Sequence, residues 1–385
     1  MALIRLFVHR FRSAGLCPLA VALLAATSIA APPKTAETIE VLLRDLSADA
    51  YTTRRRAEQR LLGLAAESTE VEERLLRRLD VALGQATGDP PRGDLEGYVA
   101  KRRLQQTLRQ QRLEMRLDRF LYDPSFDDES FSDWPDFRRY AGAGVTSRLL
   151  FAELTRRRGI EGMSSPSVFA WVPANLDSIR GQDTALWCAT LIAACRPEGS
   201  ASQGRLIELT ATLRCEGGGP MPRNENERQV LANVMAHYLR RPEIDSRDRI
   251  VIGLRFGCRR VTLQECHRVL NDPEQSPSRI VTAMLAGSAL DAAEIEAWIR
   301  QYRHDHRISH TWRSMAPPKA TRRTQVRDVA LAIELHRAGI DPRSRGFDAL
   351  VADPVLVFRP YSLGFESDGA RRRAHGDQAP ASALR

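Results

Sequence analysis

Residues 42–65, LLRDLSADAYTTRRRAEQRLLGLA, hold the pattern that decides the fold class of this chain. Apolar side chains recur there at spacings of three and four on both sides of a short polar turn, which is typical of two packed amphipathic helices. In the second helix, Arg54 is followed by Ala57 three positions on and by Leu62 eight positions on. The alanine lets a neighbouring helix approach closely, and the leucine fills the groove between helices. The arginine lies near the helix start, over the turn, where it can bind a carboxylate or backbone carbonyls.

The same spacing returns in residues 324–339, TQVRDVALAIELHRAG. Arg327 is followed by Ala330 and Leu335 at the offsets found in the first stretch. Arg327 stands beside Asp328, and such a charged pair is a candidate for active-site chemistry. The repeated spacing favours a packing role instead, so we predict that Arg327 contributes to stability rather than to a reaction.

This R-x-x-A-x-x-x-x-L pattern resembles the second helix of HEAT-like repeats. Residues 42–65 look like one such repeat, close to those of exported bacterial HEAT-like proteins. The segments DWPDF, SRLLFAEL, QVRDVALA and DPRSRGF, in this order, are also similar to a group of uncharacterised exported bacterial proteins that begin with such a repeat. The resemblance implies an all-α fold, an irregular α-solenoid in which antiparallel helix pairs form a HEAT-like array. It implies no particular activity.

Breaker-rich and acidic loops divide the chain into successive helical regions. The segment 303–324 is basic and lacks helical periodicity, so we expect an irregular exposed loop there. The expected regions are a signal peptide or signal anchor at 1–30, N-terminal HEAT-like helices at 31–122, a central helical region at 123–270, a C-terminal helical region at 271–366 and a disordered tail at 367–385.

The N-terminal segment has the layout of a secretory signal peptide. Basic residues come first, an apolar stretch follows from 14 to 30, and the small-residue series Ser28-Ile29-Ala30 precedes a cleavage position before Ala31. We therefore predict export to the periplasm or the exterior. The alternative is an uncleaved anchor, because residues 14–31 approach the length that begins to suggest a membrane span. In that case the protein is associated with the membrane through this segment.

The charge of the chain is strongly positive but carries little functional information. The formal net charge is +9, and only three of the 57 basic residues are lysines. Nucleic-acid binding usually recruits both basic residue types on one face. A near-total preference for arginine is more typical of a coding bias, so we predict no nucleic-acid partner.

The cysteines favour structural thiols. Without Cys17 of the signal segment, an odd number of cysteines stays in the chain, so at least one thiol has no intrachain partner. Buried free cysteines that act as small apolar residues are the simplest interpretation. A disulfide between Cys258 and Cys266 is the alternative. The cysteines concerned are Cys188, Cys195, Cys215, Cys258 and Cys266.

Three histidines form the best candidate metal site. His306 and His310 are four positions apart, a spacing that lets two imidazoles share a metal on a helix, and His304 lies close by. However, the H-E-x-x-H motif is absent and the surroundings are polar, which favours surface histidines. The sequence also lacks a P-loop, a dinucleotide-binding motif and a G-x-S-x-G element, so we name no catalytic residue and no cofactor.

These observations lead to two hypotheses about function. The first is an exported, non-enzymatic helical scaffold that binds an unidentified protein partner in the cell envelope. The second is a metal-dependent envelope enzyme that uses the loop with His304, His306 and His310.

Overall fold

A computed structural model describes residues 33–84, 95–123, 125–126, 131–158, 169, 184–196, 203–215, 217–313 and 320–376. The predicted signal segment, residues 1–30, lies outside these ranges. The chain divides into two compact units, residues 1–113 and 114–385, and the division falls inside a long helix. Helices dominate both units, so the predicted all-α class is confirmed. Within the described ranges no helix is both long enough and apolar enough to cross a membrane.

The first unit consists of three helices and the start of a fourth: α1 (Pro33–Asp45), α2 (Tyr51–Glu67), α3 (Thr69–Gly84) and α4 (Leu95–Tyr122). Each of the four contributes leucines at helical spacing to one buried cluster. Leu46, Leu61, Leu75 and Leu104 in this cluster are fully excluded from solvent. The sequence ATGDPPRGD, residues 86–94, predicts a breaker-rich loop between α3 and α4, and these residues lie outside the described ranges.

In its described residues, the second unit contains the end of α4 and eleven further α-helices. The helix α7 is almost entirely apolar, and ten of its twelve residues are buried. Such a helix belongs in the centre of a domain rather than on its surface. The helices are α5 (Trp134–Ala141), α6 (Val145–Arg158), α7 (Thr184–Cys195), α8 (Gln203–Arg214), α9 (Glu225–Leu239), α10 (Ser246–Arg255), α11 (Arg259–Leu270), α12 (Pro277–Ala289), α13 (Ile295–Tyr302), α14 (Val326–Arg337) and α15 (Asp368–His375).

Helices α10 and α11 approach each other closely at a glycine. A Cβ atom at Gly253 would lie 2.3 Å from Oγ1 of Thr262. The turn between the two helices is tight, because Gly257 has a φ of +73° and the amide of Cys258 donates to the carbonyl of Gly253 at 2.7 Å. This geometry fixes where the N-terminus of α11 lies.

Two short antiparallel hairpins interrupt the helices. Strand β1 (Ile308–Arg313) pairs with β2 (Thr321–Gln325), and β3 (Ala352–Asp353) pairs with β4 (Val357–Phe358). The prediction of an irregular loop over 303–324 was therefore wrong at 308–313 and at 321–324, where the strands form. Most of β1 is exposed, and only Ile308 and Trp312 in it are apolar, which is too few to show the alternation by which a half-buried strand is recognised.

The C-terminal tail is also more ordered than we predicted. Instead of disorder from residue 367, Ser367 caps a helix, α15, by accepting a hydrogen bond from the amide of Ala370 at 3.2 Å. Arg371 and Ala374 of this helix are buried. The helix is ordered because Arg371 has a buried carboxylate as its partner, which the local sequence does not show. Residues 377–385 lie outside the described ranges.

Candidate functional site

The first predicted signature residue, Arg54, lies over a turn between two helices. Its guanidinium donates to the carbonyl of Ala48 at 2.7 Å and to that of Asp49 at 2.8 Å, and it pairs with the carboxylate of Glu96. Ala57 is buried, whereas Leu62 is only half-buried. This arginine thus joins the α1–α2 turn to the start of α4.

The second signature arginine, Arg327, makes different contacts. Its Nε donates to Oε1 of Gln325 at 2.7 Å, and Gln325 is the N-cap of α14. Ala330 and Leu335 are both buried in the core. The two stretches share their spacing and the burial of their alanines, but each arginine binds a different kind of partner.

Asp328, beside Arg327, is the more informative residue of the charged pair. One of its oxygens accepts the backbone amide of Gln325 at 2.8 Å, which completes a capping box. Both oxygens accept from Nε of Arg371 at 3.1 Å, and Oδ1 lies 3.1 Å from Nε2 of His375. The carboxylate is fully buried, so Asp328 holds α14 and α15 together rather than facing a ligand.

The three histidines proposed as metal ligands do not form a site. His304 and His306 are exposed, and His310 is half-buried on β1 with Nδ1 3.1 Å from Oγ of Ser309. Burial, and secondarily the charge of Arg247, lowers the pKa of His310. Nowhere in the described ranges do three or more His, Cys, Asp or Glu side chains form a group that could hold a metal ion.

All five cysteines outside the signal segment are free thiols. A disulfide between Cys258 and Cys266 does not form, because Cys258 is the N-cap of α11 and Cys266 lies within that helix. Eight helical positions separate their Cα atoms by about 12 Å, whereas a disulfide requires less than about 7 Å. Burial raises the pKa of both thiols to about 12.

The strongest candidate for a binding site is a cleft among α5, α9 and α11, which we name the arginine cleft. Its volume is about 560 Å³, a size typical of ligand sites in proteins. The end of α5 forms one wall, one face of α9 forms the floor, and the start of α11 forms the other wall. The lining residues are Arg139, Tyr140, Gly142, Gln229, Ala232, Asn233, Ala236, His237, Arg240, Gly257, Cys258, Arg259, Arg260 and Val261.

The wall formed by α5 is anchored by an aromatic cluster beneath it. The ring of Trp134 lies 5.3 Å from that of Phe151 in α6, and the ring of Phe137 lies 5.6 Å from it. Beyond the helix end, Gly142 has a φ of +90°, which favours glycine, and its amide donates to the carbonyl of Arg138 at 2.8 Å. The last turn of α5 therefore presents its side chains from a fixed backbone.

The floor of the cleft follows from helical spacing. Gln229, Asn233 and His237 lie four positions apart in α9, as do Ala232, Ala236 and Arg240 just beyond the helix end, so both rows share one face. The two alanines leave room above the helix. A capping bond fixes the start of α9, because Oδ1 of Asn224 accepts the amide of Glu227 at 2.9 Å.

The lining is strongly positive. As far as the structure describes the chain, the lining includes four exposed guanidinium groups and no carboxylate. His237 lies against Tyr140, with ring centroids 5.2 Å apart and the planes nearly perpendicular. Burial lowers the pKa of His237, and the charges of Arg240 and Arg139 lower it further. Burial and the neighbouring guanidinium charges thus both disfavour the protonated imidazole.

The sequence contained signals for this cleft, but they were scattered. Arg259 and Arg260 are adjacent, and the polar row of α9 repeats at helical spacing, yet neither pattern differs from an ordinary solvated helix face. Only the packing of α5 and α11 beside α9 brings the four arginines together. Comparison with protein-family models, with curated proteins and with solved structures finds no match for this chain.

Proposed function

We propose that this protein is an exported, non-enzymatic helical scaffold and that the arginine cleft is the surface with which it binds a protein partner in the cell envelope. One observation carries the proposal, namely an open cleft whose walls and floor come from three anchored helices. The helices are held by core packing, so a partner meets a surface that is already formed, which lowers the cost of association.

The chemistry of the lining favours binding over catalysis. The cleft offers guanidinium and amide groups, which suit hydrogen bonding to a bound segment. Its one thiol, Cys258, donates to the carbonyl of Ala232 at 3.3 Å, and burial raises its pKa to about 12, so it is not available as a thiolate. His237 has no carboxylate partner in the lining that would orient it as a general base.

Export and the HEAT-like arrangement belong to the same proposal. They rest on the layout of residues 1–30 and on the spacing shared by the stretches around Arg54 and Arg327. A helical array of this kind provides extended surfaces for partners. The histidine-based enzyme gains no support from the geometry, because His304 and His306 are exposed and lie in no group that could hold a metal ion.

The experiment is affinity capture of the full chain from the envelope fraction of its own cells. Ala236→Trp fills the floor of the cleft, and Ala66→Trp places the same ring on an exposed position of α2 as the matched control. We expect one stoichiometric protein to be retained by the native chain and by Ala66→Trp and to be lost with Ala236→Trp, at unchanged melting temperature. The same set of retained proteins for all three chains would contradict the proposal.

A further inference from the structure

We infer that the arginine cleft binds a carboxylate-rich, extended segment of its protein partner. This inference rests on the proposed function and specifies the chemistry of the partner. The arginines of the cleft lack the carboxylate partners that many arginines elsewhere in the described chain have.

Arginines outside the cleft are commonly paired with acids. Arg249 and Arg268 both bind Glu265, and Arg337 binds Asp291 and Glu296. Such pairing neutralises much of the positive charge of the arginines. An arginine-rich sequence therefore does not by itself create a positive site.

The four guanidinium groups of the cleft differ in this respect. Across the described ranges, no carboxylate forms an ion pair with any of the set Arg139, Arg240, Arg259 and Arg260. Arg259 interacts electrostatically with Asp291, but that carboxylate is hydrogen-bonded to Arg337 at 2.7 Å. The cleft therefore keeps a net positive charge that a ligand can neutralise.

The start of α11 adds to this potential. Residues 257–261 line the cleft, so the positive end of the helix dipole faces it. The N-cap residue, Cys258, makes no side-chain capping bond, because its thiol is turned toward Ala232. Guanidinium groups and a helix N-terminus both favour an anionic group on the ligand.

The remaining lining favours a peptide over a nucleic acid. Proteins that bind single strands stack bases on free aromatic faces. Among the described lining residues, Tyr140 has the one aromatic ring apart from the imidazole of His237. The two rings meet nearly at right angles. The guanidinium of Arg139 lies over the Tyr140 ring, 5.8 Å from its centroid. By contrast, Nε2 of Gln229 donates to Oδ1 of Asn233 at 3.2 Å, and the further donors and acceptors of these two amides suit the backbone of an extended segment.

The test measures binding of fluorescent peptides to the full chain by anisotropy. The probes are a short glutamate-rich peptide and its glutamine counterpart. The cleft variant carries Arg→Gln at 139, 240, 259 and 260. The control variant carries the same change at four exposed arginines outside the cleft, 102, 300, 303 and 345, so both variants lose equal net charge.

We expect the native chain to bind the glutamate peptide and not the glutamine peptide. Each exposed charge pair contributes little, but the cleft variant loses four of them together, so it should weaken binding by about fourfold or more and the control variant by less than about threefold. Affinity should fall as salt rises. Equal binding of both peptides, or equal weakening in both variants, would overturn the inference. So would stronger binding of a single-stranded oligonucleotide of matched charge.

The outcomes separate this inference from the proposed function. If partner capture is lost with Ala236→Trp but survives the four cleft substitutions, the cleft is a docking surface, and the inference that it binds an acidic segment is wrong. If the glutamate peptide binds but capture is unaffected by Ala236→Trp, the cleft binds acidic peptides and the scaffold function is wrong.

Discussion

Arg371 of the C-terminal helix donates from Nε to both carboxylate oxygens of Asp328 at 3.1 Å, and both side chains are almost fully buried. The same guanidinium donates to the carbonyl of Arg323 in β2 at 2.7 Å. One arginine thus joins α15 to the start of α14 and to the hairpin. This contact replaces the disordered tail that we expected from residue 367.

Arg371→Ala should strongly destabilise the second unit. Removing one partner of a buried pair leaves an uncompensated charge and costs about 3–5 kcal/mol. The measurement is the free energy of unfolding in urea. Arg372→Ala, on the exposed side of the same helix, is the control and should change it by less than about 0.5 kcal/mol. Equal effects of the two substitutions would mean that the Asp328 contact does not hold α15 in place.

The two signature arginines should differ in their contributions to stability. Arg54→Ala removes bonds to two carbonyls and a carboxylate and should cost about 1–3 kcal/mol, whereas Arg327→Ala removes a bond to a neutral side chain and should cost about 0.5–1.5 kcal/mol. Arg56→Ala, at an exposed position of α2, is the control. A larger loss for Arg327→Ala than for Arg54→Ala would contradict this account of the contacts.

Gly253→Ala tests the close approach of α10 and α11. The added Cβ would lie 2.3 Å from Oγ1 of Thr262, so we expect a loss of about 1–3 kcal/mol from overpacking. In α2, an added Cβ at Gly63 would have no neighbouring atom within 4 Å, and Gly63→Ala should stabilise by about 0.5–1 kcal/mol through helix propensity. Thermal unfolding of both variants measures the contrast, and stabilisation by both would show that the helices lie further apart.

His237 should make binding of the acidic peptide depend on pH. Its pKa is lowered by burial and by Arg240 and Arg139, so the imidazole is neutral at pH 7 and gains its charge only below its ordinary value of about 6.5. The other titratable or charged groups of the lining are Tyr140, Cys258, Arg259 and Arg260. Protonation adds positive charge, so affinity should rise as pH falls from 7 toward 5, before glutamates of the peptide are protonated near 4.3.

The control for this dependence is His237→Gln, which keeps a polar side chain but cannot gain a charge. The variant should bind the peptide with an affinity that changes little between pH 7 and 5. The same rise in affinity for the variant would place the titrating group elsewhere.

The thiols should differ in reactivity in the native protein. Cys215 is exposed, whereas Cys258 and Cys266 are buried and have pKa values raised to about 12. Alkylation at pH 8 should therefore label Cys215 first, as peptide mapping by mass spectrometry will show. A peptide in which Cys258 is linked to Cys266 would contradict the helical geometry of α11.

The sequence predicted the helical class well but missed α15, β1 and the arginine cleft. The apolar spacing around Arg54 is local, so it showed the helices directly. By contrast, α15 is polar and arginine-rich, and its order depends on Asp328, more than forty positions earlier in the chain. Strand β1 is mostly exposed and has only two apolar residues, too few to show the alternation of a half-buried strand.

The arginine cleft was hidden because, like the order of α15, it depends on residues that lie far apart in the sequence. Its walls come from residues 139–142 and 257–261 and its floor from 229–240, and each segment alone resembles a solvated helix face. The irregular α-solenoid of HEAT-like helix pairs stays a prediction, since the spacing shared by the stretches at Arg54 and Arg327 shows local packing and not the arrangement of all helices.

The most direct test of the central claim is photo-crosslinking in cells from a residue in the cleft. A photoreactive amino acid replaces Asn233, which is exposed in the lining, and in a second chain it replaces the exposed Ala66 of α2. We predict one discrete crosslinked envelope protein from position 233, absent from position 66, with the attachment mapped to a glutamate- or aspartate-rich segment. The absence of a crosslink specific to position 233, or attachment to a segment without acidic residues, would contradict the account.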